Sequence, residues 1–239
     1  MQLSDRLQAV ASMVTENSRL ADVGTDHGYI PIYLCEMGKI PSASAMDVKK
    51  GPLLRAKMNI ERYHMQEKIR TRLSDGVLKL NPDEADSVVI AGMGGTLVMK
   101  ILEEGKKVLV DVKELVLQPQ SELPKVRRFL MENGYVTERE EMVMEDGKYY
   151  PMMRVHFDAS AVSHADSFTE EQELEFRYGK QLLTEKHPVL LAYLRWEVQI
   201  QQDILTQLSG QPATEQIAAR IDDVKQILAQ NARALAYYE

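Results

Sequence analysis

The chain has 239 residues, 44% of them hydrophobic and 27% charged, with a formal net charge of −7. That suits a folded, soluble chain of one large domain or one domain with an appendage. No apolar run approaches the roughly 18–20 residues of a membrane span, and the single cysteine, Cys35, excludes an internal disulfide.

The opening segment "MQLSDRLQAVASMV" carries charge inside its apolar pattern, which argues against a secretory leader. Leu3, Leu7, Val10 and Val14 instead mark one face of a helix. The lone thiol reads as a small core residue in a reducing, cytoplasmic setting. No Cys/His spacing suggests zinc, and no metal is expected.

Residues 19–38, "RLADVGTDHGYIPIYLCEMG", read as a strand, a tight turn holding Gly24 and Gly28, and a helix near 28–37. Pro31 suits the first turn of that helix, where no donor is lost. Further strands are expected at "SASAMD", "KIRTRLS", "SVVIAG" and "ELVLQP", with helices near 51–64, 95–104 and 121–133. Repeated strand-helix units imply a parallel sheet covered on both faces. "YVTEREEMVME", Asp146-Gly147 and "KYYPMMRVHFD" then read as a hairpin adding antiparallel strands at one edge. The fold class is α/β, a class I methyltransferase Rossmann-like sheet with a C-terminal α-helical coiled-coil hairpin.

"DASAVSHADS" at 158–167 reads as a linker, which divides the chain into a sheet domain, 1–160, and a helical domain, 161–239. In the latter, Leu191, Leu194, Val198, Leu205 and Leu208 repeat at heptad-like spacing. "SGQP" interrupts, and Ile217, Ile221, Val224, Leu228 and Leu235 resume it. Folding at "SGQP" pairs Leu205 with Ile217, Gln201 with Ile221, Val198 with Val224, Leu194 with Leu228 and Leu191 with Asn231. Two helices packed flat on the sheet domain are the simpler alternative.

The Gly24–Gly28 turn brings backbone amides and a helix N-terminus against a polar ligand. It lacks the G-x-G-x-x-G spacing of a nicotinamide-cofactor loop. Asp47, at the second strand end, suits the ribose hydroxyls of a nucleoside, and Asp75-Gly76, after the third, suits an adenine. Gly92, Met93, Gly94 and Gly95 close the fourth. The set fits S-adenosylmethionine, its methionine end over Gly24–Gly28. Asp75-Gly76 as a plain turn, Asp47 as a helix cap and "AGMGG" as strand-helix packing remain open. Residues 47–72 carry eight basic groups against three acids, a positive stretch suited to phosphates, whereas residues 160–239 carry a net −5.

"LADVGTDHGYIPIYL", "AMDV" before a basic helix, "LSDGV", "VIAGMGG", and "LVLQPQSE" followed by "FL" and "GY" together resemble the bacterial tRNA (adenine-22, N1) methyltransferases over nearly the whole chain. That resemblance implies S-adenosylmethionine as donor and N1 of a tRNA adenine as acceptor. The expected cofactor wall is Gly24, Asp26, Gly28, Asp47, Val48, Asp75, Gly76, Ala91 and Gly92. Asp26, His27 and Tyr29 are the catalytic candidates. Asp26 is suited either to the donor's ammonium or to the target base, and His27 and Tyr29 either to the acceptor or to local structure. Met93 and Gln118 are expected to line the acceptor pocket. Lys49, Lys50, Arg55 and Arg62 are expected to meet tRNA phosphates, with Lys68, Arg70, Arg72, Lys125, Arg127 and Arg128 as further contributors. A methyltransferase-like RNA-binding scaffold and a small-molecule methyltransferase are the alternatives.

Overall fold

A computed structural model describes residues 1–163, 167–212 and 214–239. Its central strand, β1 (Leu20–Val23), is buried at every position. It pairs in parallel with β2 (Ala43–Asp47) on one side and β4 (Ser87–Met93) on the other. β3 (Ile69–Leu73) extends the sheet beyond β2, and β5 (Glu114–Pro119) extends it beyond β4, both in parallel. The hairpin of β6 (Tyr135–Glu145) and β7 (Lys148–Phe157) joins through β7, antiparallel to β5, giving the order β3-β2-β1-β4-β5-β7-β6. Its turn residues Asp146 and Gly147 both have positive φ, at 50° and 72°, as a two-residue hairpin turn matched to strand twist requires.

Strand alternation sends side chains to two cores. Ala21 and Val23 face a cluster with Val98, Leu102, Val126 and Leu130 from α4 (Gly95–Glu104) and α6 (Leu123–Glu132). Leu20 faces the opposite cluster with Val10, Ile32 and Ile60, from α1 (Asp5–Met13), α2 (Tyr29–Glu36) and α3 (Lys50–Arg62). Ser4 caps α1 by accepting from the Leu7 N–H. Cys35 is buried among apolar neighbours on α2, and burial pushes its thiol up to about 11, so it behaves as a packed apolar group. The short α5 (Lys106–Leu109) follows α4.

The chain divides into two units, Met1–Ser167 and Phe168–Glu239. Of the segment expected as a linker, Ala159–Ala161 form a 3-10 turn and residues 164–166 lie outside the described residues. The second unit comprises α7 (Glu170–Tyr178), α8 (Lys180–Thr184), α9 (Pro188–Ser209) and α10 (Glu215–Ala236). Thr169 and Gln172 form a capping box at the start of α7. α10 runs back along α9, since Asn231 Nδ2 donates to Glu197 Oε2 at 2.8 Å and the Tyr238 hydroxyl to the His187 carbonyl at 2.8 Å. Asn231, expected opposite Leu191, makes a hydrogen bond with the Glu197 side chain of α9. The buried Glu197 carboxylate also accepts from Arg177, Tyr178 and Tyr193, at 2.8, 2.9 and 3.1 Å. This polar cluster sets the register there, because a buried carboxylate demands its donors. Burial, reinforced by the Glu197 charge, raises the Tyr178 hydroxyl well above the ordinary phenol range.

Gly95 lies where α4 approaches α6. A Cβ there would overlap the Ser121 carbonyl oxygen and come 2.9 Å from Val126 Cγ2. Gly51, in the first turn of α3, has only the end of Arg55 nearby. Gly95→Ala is expected to destabilise the chain by about 1–3 kcal/mol. Gly51→Ala should be neutral or stabilising by up to about 1 kcal/mol. Urea unfolding of both variants checks the contrast.

Candidate active site

The strand order reverses between β1 and β4, and such a switch point leaves a crevice beyond the carboxyl ends of the strands. An open cleft of about 370 Å³ lies there, walled by Gly24–Tyr29 on one side and by Ala91, Gly92 and Gln120 on the other. At its base the amides of Gly24 and Thr25 both donate to the Met46 carbonyl, at 2.8 and 2.9 Å. The turn is thus bolted to β2, and the Gly24 N–H is already committed. Gly24 has φ +78°, and a Cβ on it would fall on the terminal methyl of Met93. Gly28 has φ +69° and caps α2 through backbone alone, 3.4 Å of clearance separating a Cβ there from Ala56 on α3. With no capping side chain, the first-turn N–H groups of α2 are left open to a ligand.

Asp26, on the rim, is held from two sides. Arg55 Nε donates to its Oδ1 at 3.1 Å and Arg55 Nη2 makes a second bond to the same oxygen. His27 Nε2 lies 3.2 Å from Oδ2. The His27 ring stacks on Tyr29, centroids 5.0 Å apart and planes 11° apart, and its carbonyl accepts from Asn59 Nδ2 at 2.9 Å. The imidazole and phenol therefore form one half-exposed aromatic shelf at the cleft mouth.

Deeper in, Asp22 lines the cleft and is almost fully buried. Burial raises its carboxyl to about 6, the Thr25 hydroxyl opposes that rise, and the negative charge of Asp47 adds to it. Asp47 itself accepts from the Lys49 N–H at 2.7 Å, so it does serve the turn into α3, with one oxygen. The backbone of Asp47 accepts from the Ser74 N–H at 2.9 Å, which sets Asp75 and Gly76 beside it. Gly76 has φ +50° and a Cβ there would come 3.1 Å from Ile101. Asp47, Val48, Asp75 and Gly76 lie outside the lining of the cleft, along the adjacent strand ends.

Gln118 and Met93 also lie outside that lining. Gln118 is completely buried, and its Oε1 accepts from the Gly92 N–H at 3.1 Å and from Arg6 Nη1 at 3.0 Å. The β4–β5 register shifts between Ala91 and Met93, which frees the Gly92 amide, and Gln118 satisfies it. Arg6, Asp22 and Gln120 are cleft residues that were not singled out from the sequence. Gln120 stands in the quoted "LQPQSE", whereas Arg6 reads only as the polar side of a terminal helix.

Lys49, Lys50 and Arg62 are exposed along α3, as phosphate contacts require. Arg55 is exposed too, but engaged with Asp26. Two expected phosphate contacts are corrected. Arg127 is buried against the equally buried Glu140, with 2.8 Å between Nε and Oε1. Arg72 donates to Glu84 Oε2 at 2.7 Å and to the Lys79 carbonyl at 2.7 Å, and its hydrogen bonds hold the Glu84 carboxyl down at about 2. Among the described residues, no group of three or more His, Cys, Asp or Glu side chains is placed to hold a metal ion, and no helix is long and apolar enough to cross a membrane.

A methyltransferase-domain family profile matches residues 3–153. The tRNA (adenine(22)-N(1))-methyltransferase of Bacillus subtilis is 33% identical over 236 residues, covering 95% of this chain and 98% of that protein. The crystal structure of the B. subtilis M1A22 tRNA methyltransferase superposes with a TM-score of 0.81 at 31% identity, covering 98% of this chain and 99% of that one. Streptococcus pneumoniae Sp1610, solved in complex with S-adenosyl-L-methionine, superposes with a TM-score of 0.78 at 32% identity, covering 95% of this chain and all of that one. A methyltransferase sheet with its cleft at the strand-order reversal, and 33% identity to the B. subtilis enzyme over nearly the whole of both chains, place this chain in the tRNA (adenine(22)-N1)-methyltransferase family.

Proposed function

We propose that the chain transfers a methyl group from S-adenosylmethionine to N1 of adenine 22 in tRNA. The full-length similarity to the B. subtilis enzyme of that specificity carries this conclusion. The scaffold and small-molecule readings find no support among the relatives.

The residues of the cleft fit the donor. Asp22 is a buried carboxylate with a raised titration point, an arrangement that a cationic ammonium group would relieve. The open α2 N-terminus and the Gly24–Gly28 backbone leave room for the amino-acid end. Asp47 has one carboxylate oxygen beyond its bond to Lys49 for ribose hydroxyls, with Asp75 and Gly76 alongside for the adenine. Bound there, S-adenosylmethionine supplies an electrophilic methyl group.

The acceptor N1 has an in-plane lone pair and carries no proton, so the protein's work is positioning rather than deprotonation. N1 lies on the pairing edge, and the base must be unpaired or flipped to reach the cleft. Methylation leaves the adenine ring cationic. Asp26 is the group we assign to that charge and to the exocyclic amine, with Arg55 and His27 fixing its carboxylate. Asp22 takes the ammonium role that was open to Asp26. The stacked His27 and Tyr29 rings offer a surface for the flipped base. The exposed Lys49, Lys50 and Arg62 make salt-sensitive phosphate contacts.

Labelled-methyl transfer to unmodified A22-containing tRNA, followed by nucleoside analysis, tests the activity; label appearing only on small amines would overturn it. Asp26→Ala should lower kcat about a hundredfold or more while S-adenosylhomocysteine affinity, read by calorimetry, stays near wild type. Asp47→Ala should weaken that affinity. The Asp22 role has a pH signature. A bound cation favours the carboxylate, so affinity should be full above pH 6 and fall by about tenfold per unit as pH drops below it. Asp22→Asn should bind weakly with a flat profile over the same range.

A further inference from the structure

A second cleft, of about 420 Å³, adjoins the first and shares Gln120 with it. It is formed where the end of β5 meets the start of β7, with Pro119, Leu123, Lys148, Tyr149 and Tyr150 among its walls. Arg6 links the two: it lines the first cleft, and its guanidinium lies 5.5 Å from the centroid of the Tyr150 ring. Gln118 fixes Arg6 in that position from below.

We propose that this second cleft binds the nucleotide adjacent to the target adenine, its base against Tyr149 and the apolar wall and a phosphate on Lys148. The proposal rests on the tRNA-methylation reading above. Its chemistry is that of single-stranded nucleic-acid sites, where aromatic rings take successive bases and a cation tracks the backbone. Its location supplies the continuity. A base flipped into the first cleft drags its neighbour along the same rim, and Gln120 stands at the boundary between the two spaces. The exposed ammonium of Lys148, at the first residue of β7, is placed to neutralise one phosphate there.

The test uses the full chain and an unmodified tRNA carrying A22. Tyr149→Ala should raise KM for tRNA about tenfold or more, with kcat and S-adenosylhomocysteine affinity within about twofold of wild type. Tyr149→Phe, which keeps the ring, should restore KM. Lys148→Ala should reduce the slope of log affinity against log salt by about one phosphate contact. Unchanged KM and salt slope in variants that bind S-adenosylhomocysteine normally would overturn the subsite. If Tyr149→Ala also loses S-adenosylhomocysteine binding, the salt slope of Lys148→Ala decides alone, because that side chain is exposed. A wild-type chain that leaves A22 unmethylated would fail the functional reading instead, whereas normal wild-type turnover with unaltered variants fails only the subsite.

Discussion

The side chain of Gln118 sits beneath the cleft with no solvent exposure, and its oxygen accepts from Gly92 and Arg6 together. The register shift in β4 leaves the Gly92 amide, on a solvent-exposed residue, without a ladder partner and in need of a side-chain acceptor. Gln118 meets that demand and also anchors the terminal helix through Arg6. The bulge turns the chain so that Ala91 and Gly92 line one cleft wall, while Met93 covers the bare backbone of Gly24. Strand end, N-terminal helix and first glycine turn are thereby held together by one amide side chain.

Electrostatics divide the carboxylates by depth. Asp22, under α1 and α2, is desolvated and its carboxyl is raised. Asp26, on the rim, is exposed and tied to a guanidinium and an imidazole. The same residue type, four positions apart, thus meets two environments, and those environments suit a buried cationic ligand group and a charge developing at the mouth. The second unit follows the same physics: Glu197 is buried, and its donors come from three helices.

The strands were legible because each is a short apolar run bounded by turn residues, and the hairpin because Asp146-Gly147 has one dominant geometry. "AGMGG" was legible as a functional stretch but not in its division of labour. Gly92 lines the cleft at positive φ, whereas Gly95 is a packing glycine under Ser121 and Val126. Arg72 and Arg127 looked like phosphate contacts because a basic residue has the same letter whether solvated or paired. Glu84 and Glu140, each 12 or 13 positions along the chain, claim them. The helical seam shows in apolar spacing, which does not reveal that Glu197 is buried among donors from α7 and α10, Asn231 among them.

The sequence by itself determined the order of elements, the glycine turn after the first strand, the acids at the strand ends and the family they resemble. Those features are local, set by hydrophobic periodicity and by the few residues that tolerate positive φ. Only the tertiary structure decided that Asp22 rather than Asp26 is the buried acid, that Arg6 reaches the cleft, and that Gln118 supports the site from beneath. Burial, charge pairing and the satisfaction of stray amides depend on partners far apart in the chain, Arg6 and Gln118 being 112 positions apart, and no local pattern records them.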